Sequence, residues 1–345
     1  MGVDLGDLAV KETISLQSLS GKKVAIDSFN MLYQFLASIR QEDGTPLMDY
    51  SGNITAHLSG LFYRTCRFME HGLRPVFVFD GEAPEFKEKT LEERAEAKKT
   101  AKKKWKEALE EEKLEEARKY AQGTSRLTSE MVEESKELVE ALGLPVVQAP
   151  QDGEAQAAMM VRQGLADATA SQDYDALMFG SPYLLRNLSI TGRRKVPRQN
   201  RYVMVEPEII SLEETLQTLE IGRAGLIFIG LLDGTDFNEG IKGVGPKTGL
   251  KIAKEVETLD ELIDYVKEKY DYQFEVDIEA VFNLFLDPPY TPVDKLEWKD
   301  VDREAVTELL VEKHDFSEDR VESSLDDVIE QTRERNSQKS LDEWF

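Results

Sequence analysis

Four times in this chain a short apolar stretch runs straight into an acid. Residues 22–27 (KKVAID) end at Asp27, and residues 74–80 (RPVFVFD) end at Asp80. Residues 145–148 (PVVQ) lead to Asp152 and Glu154, and an apolar stretch at 166–170 leads to Asp173 and Asp175. Runs of this length, with helical patterns between them, read as parallel strands joined by crossover helices. The carboxyl ends of such strands line up at one edge of the sheet, and ligands bind there. Residues 144–180 hold the unit twice: strand, acid pair, Ala- and Met-rich helix from 155 to 163, strand, acid pair. The spacing therefore gathers carboxylates in one crevice, where like charges repel unless cations sit between them. With 67 Asp and Glu in 345 residues, one such pair would mean nothing. The repetition carries the argument.

The expected fold is α/β: a central, mostly parallel twisted sheet flanked by helices, with a helical insert and a helical C-terminal region. At 345 residues and 41% hydrophobic content the chain can bury a sizeable core. Cys66 is the single cysteine, in a helical pattern that makes it a core residue, so a reducing cytoplasm is the expected location. No apolar run approaches a membrane span, and no signal-peptide core is evident at the N-terminus. His57, His71 and His314 are scattered without metal-ligand spacing, so any metal is expected on oxygen ligands. A net charge of −24 by itself argues against nucleic acid, but the placement of the basic residues matters more than the total.

A helix is expected from Ser28 to about Arg40, carrying Tyr33, and another from about Ile54 to His71. A charged insert comes next, residues 82–130. Its stretch 87–106 has nine Lys or Arg against four Asp or Glu and few helix breakers. Its apolar residues (Leu91, Trp105, Leu109, Leu114) are too sparse for a wide packing face, which fits a solvated helix or a helical element projecting over the crevice. Residues 193–201 hold five basic residues and no acid between strand-like flanks, a basic hairpin or connection that includes Arg193, Arg194 and Lys195. Helices are expected at 212–219 and 223–232, with Asp236 just beyond. Gly243-Val244-Gly245-Pro246-Lys247 then opens a helix bearing Lys251 and Lys254. Glycines bring backbone amides close to a phosphate at a helix N-terminus, the pattern of a helix–hairpin–helix DNA clamp. The last fifteen residues lose periodicity, yet they end in Leu341, Trp344 and Phe345, which suggests docking elsewhere.

Across nearly its whole length the chain resembles an archaeal flap endonuclease of the structure-specific 5′ nuclease superfamily (Rad2/XPG-like). The resemblance rests on VAIDSFNMLYQFL, YRTCRFMEHGLRPVFVFDG, QAPQDGEAQAA, ASQDYDALMFGSP, LLDGTDFNEGIKGVGPKTGLKIA and QKSLDEWF. It implies seven carboxylates holding two Mg²⁺ ions, with Mn²⁺ able to substitute: Asp27, Asp80, Asp152, Glu154, Asp173, Asp175 and Asp236. The family's usual E-G-E is D-G-E here, with Asp152 in the first place. The insert matches a helical arch. Lys87 and Arg94, seven residues apart and so on one helix face, match contacts to the scissile phosphate. Tyr33 matches an aromatic near the cleavage point, and Gly2 an N-terminus beside the site. Gly243, Gly245, Lys247, Lys251 and Lys254 match the clamp on duplex DNA. Gln338, Leu341, Trp344 and Phe345 match the peptide that binds a PCNA-type sliding clamp.

The expected organisation is one nuclease domain over 1–330: an N-terminal nuclease region at 1–81, the arch at 82–130, an internal nuclease region at 131–236 and a helical clamp region at 237–330. A flexible clamp-binding tail would occupy 331–345. The implied activity is two-metal hydrolysis at the base of 5′ flaps, with 5′–3′ exonuclease activity, by a monomer serving Okazaki-fragment maturation and repair. Two other classes remain open: a different nuclease of the superfamily, and a non-catalytic DNA-binding or clamp-adaptor protein.

Overall fold

A computed structural model describes residues 3–82, 88–111, 113–190, 192–195 and 202–342. A short strand, β1 (Lys11–Thr13), precedes β2 (Lys23–Asp27), which feeds α1 (Ser28–Ser38) and α2 (Ala56–Glu70) before β3 (Arg74–Phe79). The insert forms α3 (Glu88–Glu110) and α4 (Leu114–Gln122), and α5 (Ser129–Ala141) comes after it. The central block supplies β4 (Val146–Gln148), α6 (Gly153–Arg162), β5 (Ala168–Ala170), α7 (Asp175–Met178) and β6 (Tyr183–Arg186). Next come β7 (Gly192–Lys195), β8 (Tyr202–Val205) and β9 (Glu208–Ser211), then α8 (Leu212–Leu219) and α9 (Arg223–Asp233). The remainder is helical: α10 (Pro246–Ala253), α11 (Leu259–Tyr270), α12 (Ile278–Leu286), α13 (Arg303–Thr307) and α14 (Glu318–Asp342).

Among the described residues the main sheet has seven strands in the order β1-β9-β6-β5-β2-β3-β4. The pairs β2–β3, β2–β5, β3–β4 and β5–β6 are parallel, while β9 runs antiparallel to β6 and β1. The expected mostly parallel sheet is present. Side-chain alternation sorts its two faces. Val24, Ile26, Phe77 and Phe79 join one hydrophobic cluster with residues of α1, α2, α5 and α14. Their neighbours Ala25, Val76 and Val78 point the other way, onto Ala157, Met160 and Val161 of α6. A third cluster packs α7, α9, α10 and α12 together. Both faces are thus covered, as a parallel sheet requires.

The order also fixes where a ligand can enter. From β2 the chain steps one way to β3 and β4; α6 then carries it back to β5, on the other side of β2. Strand order therefore reverses between β2 and β5, and a crevice opens beyond their carboxyl ends. Those ends carry Asp27 and, three residues past β5, Asp173.

In the insert, α3 and α4 pack on each other, and the seam is made by small residues. Ala108, Ala117 and Ala121 are buried at 4% exposure or less, so narrow contacts suffice where large apolar side chains are few. The Trp105 indole N–H donates to the Asp43 carbonyl at 3.0 Å, tying α3 to the loop after α1. Of the basic run 193–201, Arg193, Arg194 and Lys195 fall on β7, which pairs antiparallel with β8, and 196–201 lie outside the described residues. At the C-terminus, where a flexible tail is expected from 331, α14 continues to Asp342. No Gly or Pro interrupts 318–342, and the Arg335 guanidinium donates to the Glu70 and Met69 carbonyls at the end of α2. Trp344 and Phe345 lie outside the described residues.

Residues 287–302 have no helix or strand, yet they are fixed. Thr291 exchanges two hydrogen bonds with the Gln156 side chain, at 2.6 and 3.0 Å, and its hydroxyl donates to the Gln148 carbonyl. The Trp298 indole donates to the Pro75 carbonyl at 3.1 Å and lies 4.0 Å beneath the Arg74 guanidinium. Backbone bonds from Lys299 to Gly143 and from Asp302 to Ala141 complete a strap beside β4.

Candidate active site

Six of the seven acids singled out in the sequence sit where a strand ends or a helix begins, and the seventh, Asp236, follows the end of a helix. Asp27 closes β2 and caps α1, accepting the Asn30 amide at 3.0 Å. Asp80 comes directly after β3, and its Oδ1 accepts the Gly153 amide at 3.0 Å. Asp152 caps α6 through the Ala155 amide at 3.0 Å. Glu154, in the first turn of α6, reaches across to the Ala176 amide of α7 at 3.0 Å. Asp173 accepts the side-chain amide of Asn30 at 2.8 Å. Asp175 opens α7 and accepts the buried Val3 amide at 3.0 Å. Asp236 lies three residues past α9. Backbone amides at helix starts offset some of the negative charge gathered here.

The electrostatics show that the acids are gathered. Burial, then Asp80, opposed by the Asn30 amide and reinforced by Asp152 and Asp173, pushes the Asp27 carboxyl well above the usual range. Burial, then Asp175, Asp173, Asp27 and Asp152, does the same to Glu154. Burial, then Asp236 and Asp173, opposed by the Val3 amide, raises Asp175 to about 8. All seven carboxylates thus act within one connected field, with Asp173 and Asp152 felt by each of the three buried members.

Among the described residues no three of these acids close on a single point as a finished cage would. The arrangement is an open crevice lined with oxygen donors. Its chemistry fits hard divalent cations such as Mg²⁺, which keep several waters and take only one or two carboxylates each. A soft metal is poorly matched, because Cys66 is buried in the core with its thiol pushed up to about 12 by burial.

Two contributors escaped the sequence reading. Asn30 links the ends of β2 and β5: its amide nitrogen donates to Asp173 and its carbonyl accepts the Gln172 amide at 3.3 Å. Gly153 is the other. A Cβ there would stand 2.5 Å from Asp80 Oδ1, so only glycine lets that carboxylate rest on the start of α6. The D-G-E string held this signal.

The remaining expected residues spread around the crevice. Tyr33 is 37% exposed on α1, with the Lys98 ammonium of α3 5.1 Å from its ring centre. Gly243 has φ +88, a conformation that favours glycine, and Gly245 caps α10 with Pro246 in the first turn. A Cβ on Gly245 would meet only Asp233 Oδ1, at 3.9 Å, so that side is open to close approach. Lys247, in the first turn of α10, and Lys254, which caps its C-terminal end, form ion pairs with Asp7 and Glu220. Gly2 and Lys87 lie outside the described residues. Arg94 falls on α3, Arg193, Arg194 and Lys195 on β7, and Gln338 and Leu341 on α14; only their backbones are described.

The histidines, scattered in sequence, are not all scattered in space. His314 sits with Nδ1 3.1 Å from Asp49 and Nε2 3.0 Å from Glu134; Glu134 is also approached by His57 Nε2 at 3.4 Å and by Lys313 Nζ at 2.9 Å. This buried group joins α2, α5, the loop after α1 and the segment before α14.

Comparison with known proteins agrees with this construction. The XPG N-terminal domain matches residues 5–101 and the XPG I-region matches residues 143–236. Flap endonuclease 1 of Aeropyrum pernix is 50% identical over 352 residues, covering 100% of both chains. Among solved structures, flap endonuclease-1 from Methanococcus jannaschii superposes with a TM-score of 0.74 at 39% identity, over 97% of this chain and 100% of that one. The catalytic core of Rad2, solved in complex with DNA substrate, shares the fold at a TM-score of 0.69 and 22% identity, over 95% of this chain and 100% of that one. With matches of this extent, and with acids at or beyond the ends of the parallel strands β2, β3, β4 and β5, the chain belongs to the archaeal flap endonuclease 1 family of Rad2/XPG nucleases.

Proposed function

We propose that this nuclease binds duplex DNA bearing a 5′ single-stranded flap and hydrolyses the phosphodiester at the flap's base, leaving a nick. The observation that carries this reading is the gathering of seven carboxylates, drawn from β2, β3, α6, the β5–α7 turn and the loop after α9, at the one place where the sheet order reverses. Two divalent cations held there would activate water, clamp the scissile phosphate and stabilise the leaving 3′ oxygen. The chain's own groups prepare the site. The Val3 and Ala176 amides fix Asp175 and Glu154, and Asn30 holds Asp27 and Asp173 in register across the β2–β5 gap. Asp152 already spends one oxygen on capping α6 and is shorter than Glu, which favours contact through a water. Lys87 and Arg94 supply positive charge to the phosphate from the insert side, and α3 with α4 forms the arch past which the flap runs. Tyr33, exposed beneath Lys98, offers a ring to a base at the cleavage point.

The loop 234–245 and α10 serve as the duplex clamp, with Arg193, Arg194 and Lys195 on the β7–β8 hairpin adding phosphate contacts. The C-terminal residues Gln338, Leu341, Trp344 and Phe345 carry the sliding-clamp peptide, apolar groups one helical turn apart that can enter a hydrophobic groove. The deciding experiment is cleavage of a 5′-flap duplex and a blunt duplex with and without Mg²⁺. Strong preference for the flap, lost in chelator, is expected; equal rates on both substrates would refute flap specificity. Deleting residues 338–345 is expected to abolish stimulation by a sliding clamp while leaving clamp-free cleavage intact. An equal fall in both would make the tail a structural element.

A further inference from the structure

We propose that Asp7 and Glu220 stand in for DNA phosphates on the basic stripe of α10 and set how weakly the enzyme holds plain duplex. The inference rests on the reading of α10 as the duplex clamp. Lys247, Lys251 and Lys254 are spaced by four and three residues, so they share one face of the helix. Both outer lysines are occupied from within the chain. Lys247 Nζ lies 2.7 Å from Asp7 Oδ2, with both side chains 73% exposed. Lys254 Nζ lies 2.9 Å from Glu220 Oε2. Among the described residues Lys251, between them, has no such partner.

Neither acid belongs to α10 or to a neighbouring turn, so the pairs are not an accident of helix spacing. Asp7 is offered by a tight turn in which the Leu8 and Ala9 amides both donate to the Leu5 carbonyl, with Val3 and Leu5 buried beneath. Glu220 occupies the left-handed position that ends α8, at φ 53, where glycine or asparagine is the usual choice. An acid kept at that position, aimed at a lysine 34 residues away, points to a role for its charge. The Lys247 ammonium holds Asp7 below its usual carboxylate range, and Lys254 does the same for Glu220, so both acids stay anionic at neutral pH. Exposed pairs of this kind are weak. A run of DNA phosphates in register can displace both at once, whereas a poorly seated duplex competes with them lysine by lysine. The acids therefore penalise casual duplex binding more than binding at a correctly placed junction.

The test measures affinity for a blunt duplex with no flap at low salt. Asp7→Asn and Glu220→Asn (the latter easing the left-handed backbone) are each expected to tighten binding about two- to five-fold. The discriminating measurement is a double-mutant cycle. Lys247→Ala should weaken duplex binding more in the Asp7→Asn background than in the parent, by a similar factor. Glu213→Gln removes an exposed acid whose hydrogen-bond partner is Gln217, and it is expected to change affinity far less. Additive costs in the cycle, or an equal gain from Glu213→Gln, would overturn the proposal and leave the clamp reading standing. If Lys247→Ala, Lys251→Ala and Lys254→Ala all leave affinity unchanged, the clamp reading fails and the proposal with it.

Discussion

Two groups of buried carboxylates in this molecule behave in opposite ways. In the crevice, burial and neighbouring acids drive Asp27, Glu154 and Asp175 upward, Asp175 to about 8. Beneath the loop after α1, His57 together with Lys313 and His314 holds Glu134 down at about 2 against its burial. Burial alone would raise Asp49 as well, but Asn53 and His314 outweigh it and leave it near 2. The residue type is the same and the burial is comparable. What differs is whether the fold supplies the counter-charge. The lower group is complete within the protein and serves the structure. The crevice is arranged to receive charge from outside, which is how a cation site differs from a salt-bridge network.

The sharpest way to break this comparison is to neutralise one member of the crevice. Asp175→Asn is expected to lower single-turnover flap cleavage by at least 10²-fold, the order seen when one electrostatic stabiliser is removed, while DNA binding is retained. Full activity in that variant would remove Asp175 from the site. Next in size, Glu134→Gln should cost about 1–3 kcal/mol of stability, because it takes a carboxylate acceptor from the buried His57 and His314 rings and the ion-pair partner from Lys313. A urea midpoint unchanged from the parent would show that the lower group is not a stabilising network.

The third effect comes from cation binding. At a hundred times its dissociation constant, Mg²⁺ should add about 2.7 kcal/mol to the unfolding free energy. The gain should persist in Glu134→Gln, since distant sites add, and shrink in Asp175→Asn. A melting temperature indifferent to Mg²⁺ in the parent would count against a prepared site.

The smallest effect lies in acid. Glu134 is depressed in the folded state from 4.5 to about 2, so its contribution is fully present above about pH 4.5 and is lost as pH falls toward 2. The Glu134→Gln variant should therefore converge on the parent in stability along that acid limb. Parallel curves down to pH 2 would assign the acid transition to other groups.

The contrast also explains what is legible in the sequence. The crevice is legible because each acid sits next to the strand or helix that positions it, so a local pattern repeated four times exposes the site. The lower group is not. His57, Glu134 and His314 belong to three separate elements, and no spacing rule connects residues 57, 134 and 314. Asn30 stays hidden for a related reason: its partner Asp173 is 143 residues away. The strand at 74–79 can be read to the residue, because an apolar run ends abruptly at Asp80. The course of 331–342 cannot, because loss of hydrophobic period looks like loss of helix. A solvated helix needs only the absence of breakers and an anchor, here Arg335 on the end of α2.

The strap at 287–302 has a consequence for handling the protein. Irregular segments between helical regions are where a protease normally nicks a chain, because they can be drawn out into its cleft. This one is held at Thr291, Trp298, Lys299 and Asp302, so it should survive limited digestion that an untethered linker would not. It also runs along β4, the last strand of the sheet, whose outer side would otherwise invite another chain to pair with it. Loosening the strap with Trp298→Ala should therefore produce two symptoms together: a new cleavage product near residue 298, and a tendency to aggregate on storage.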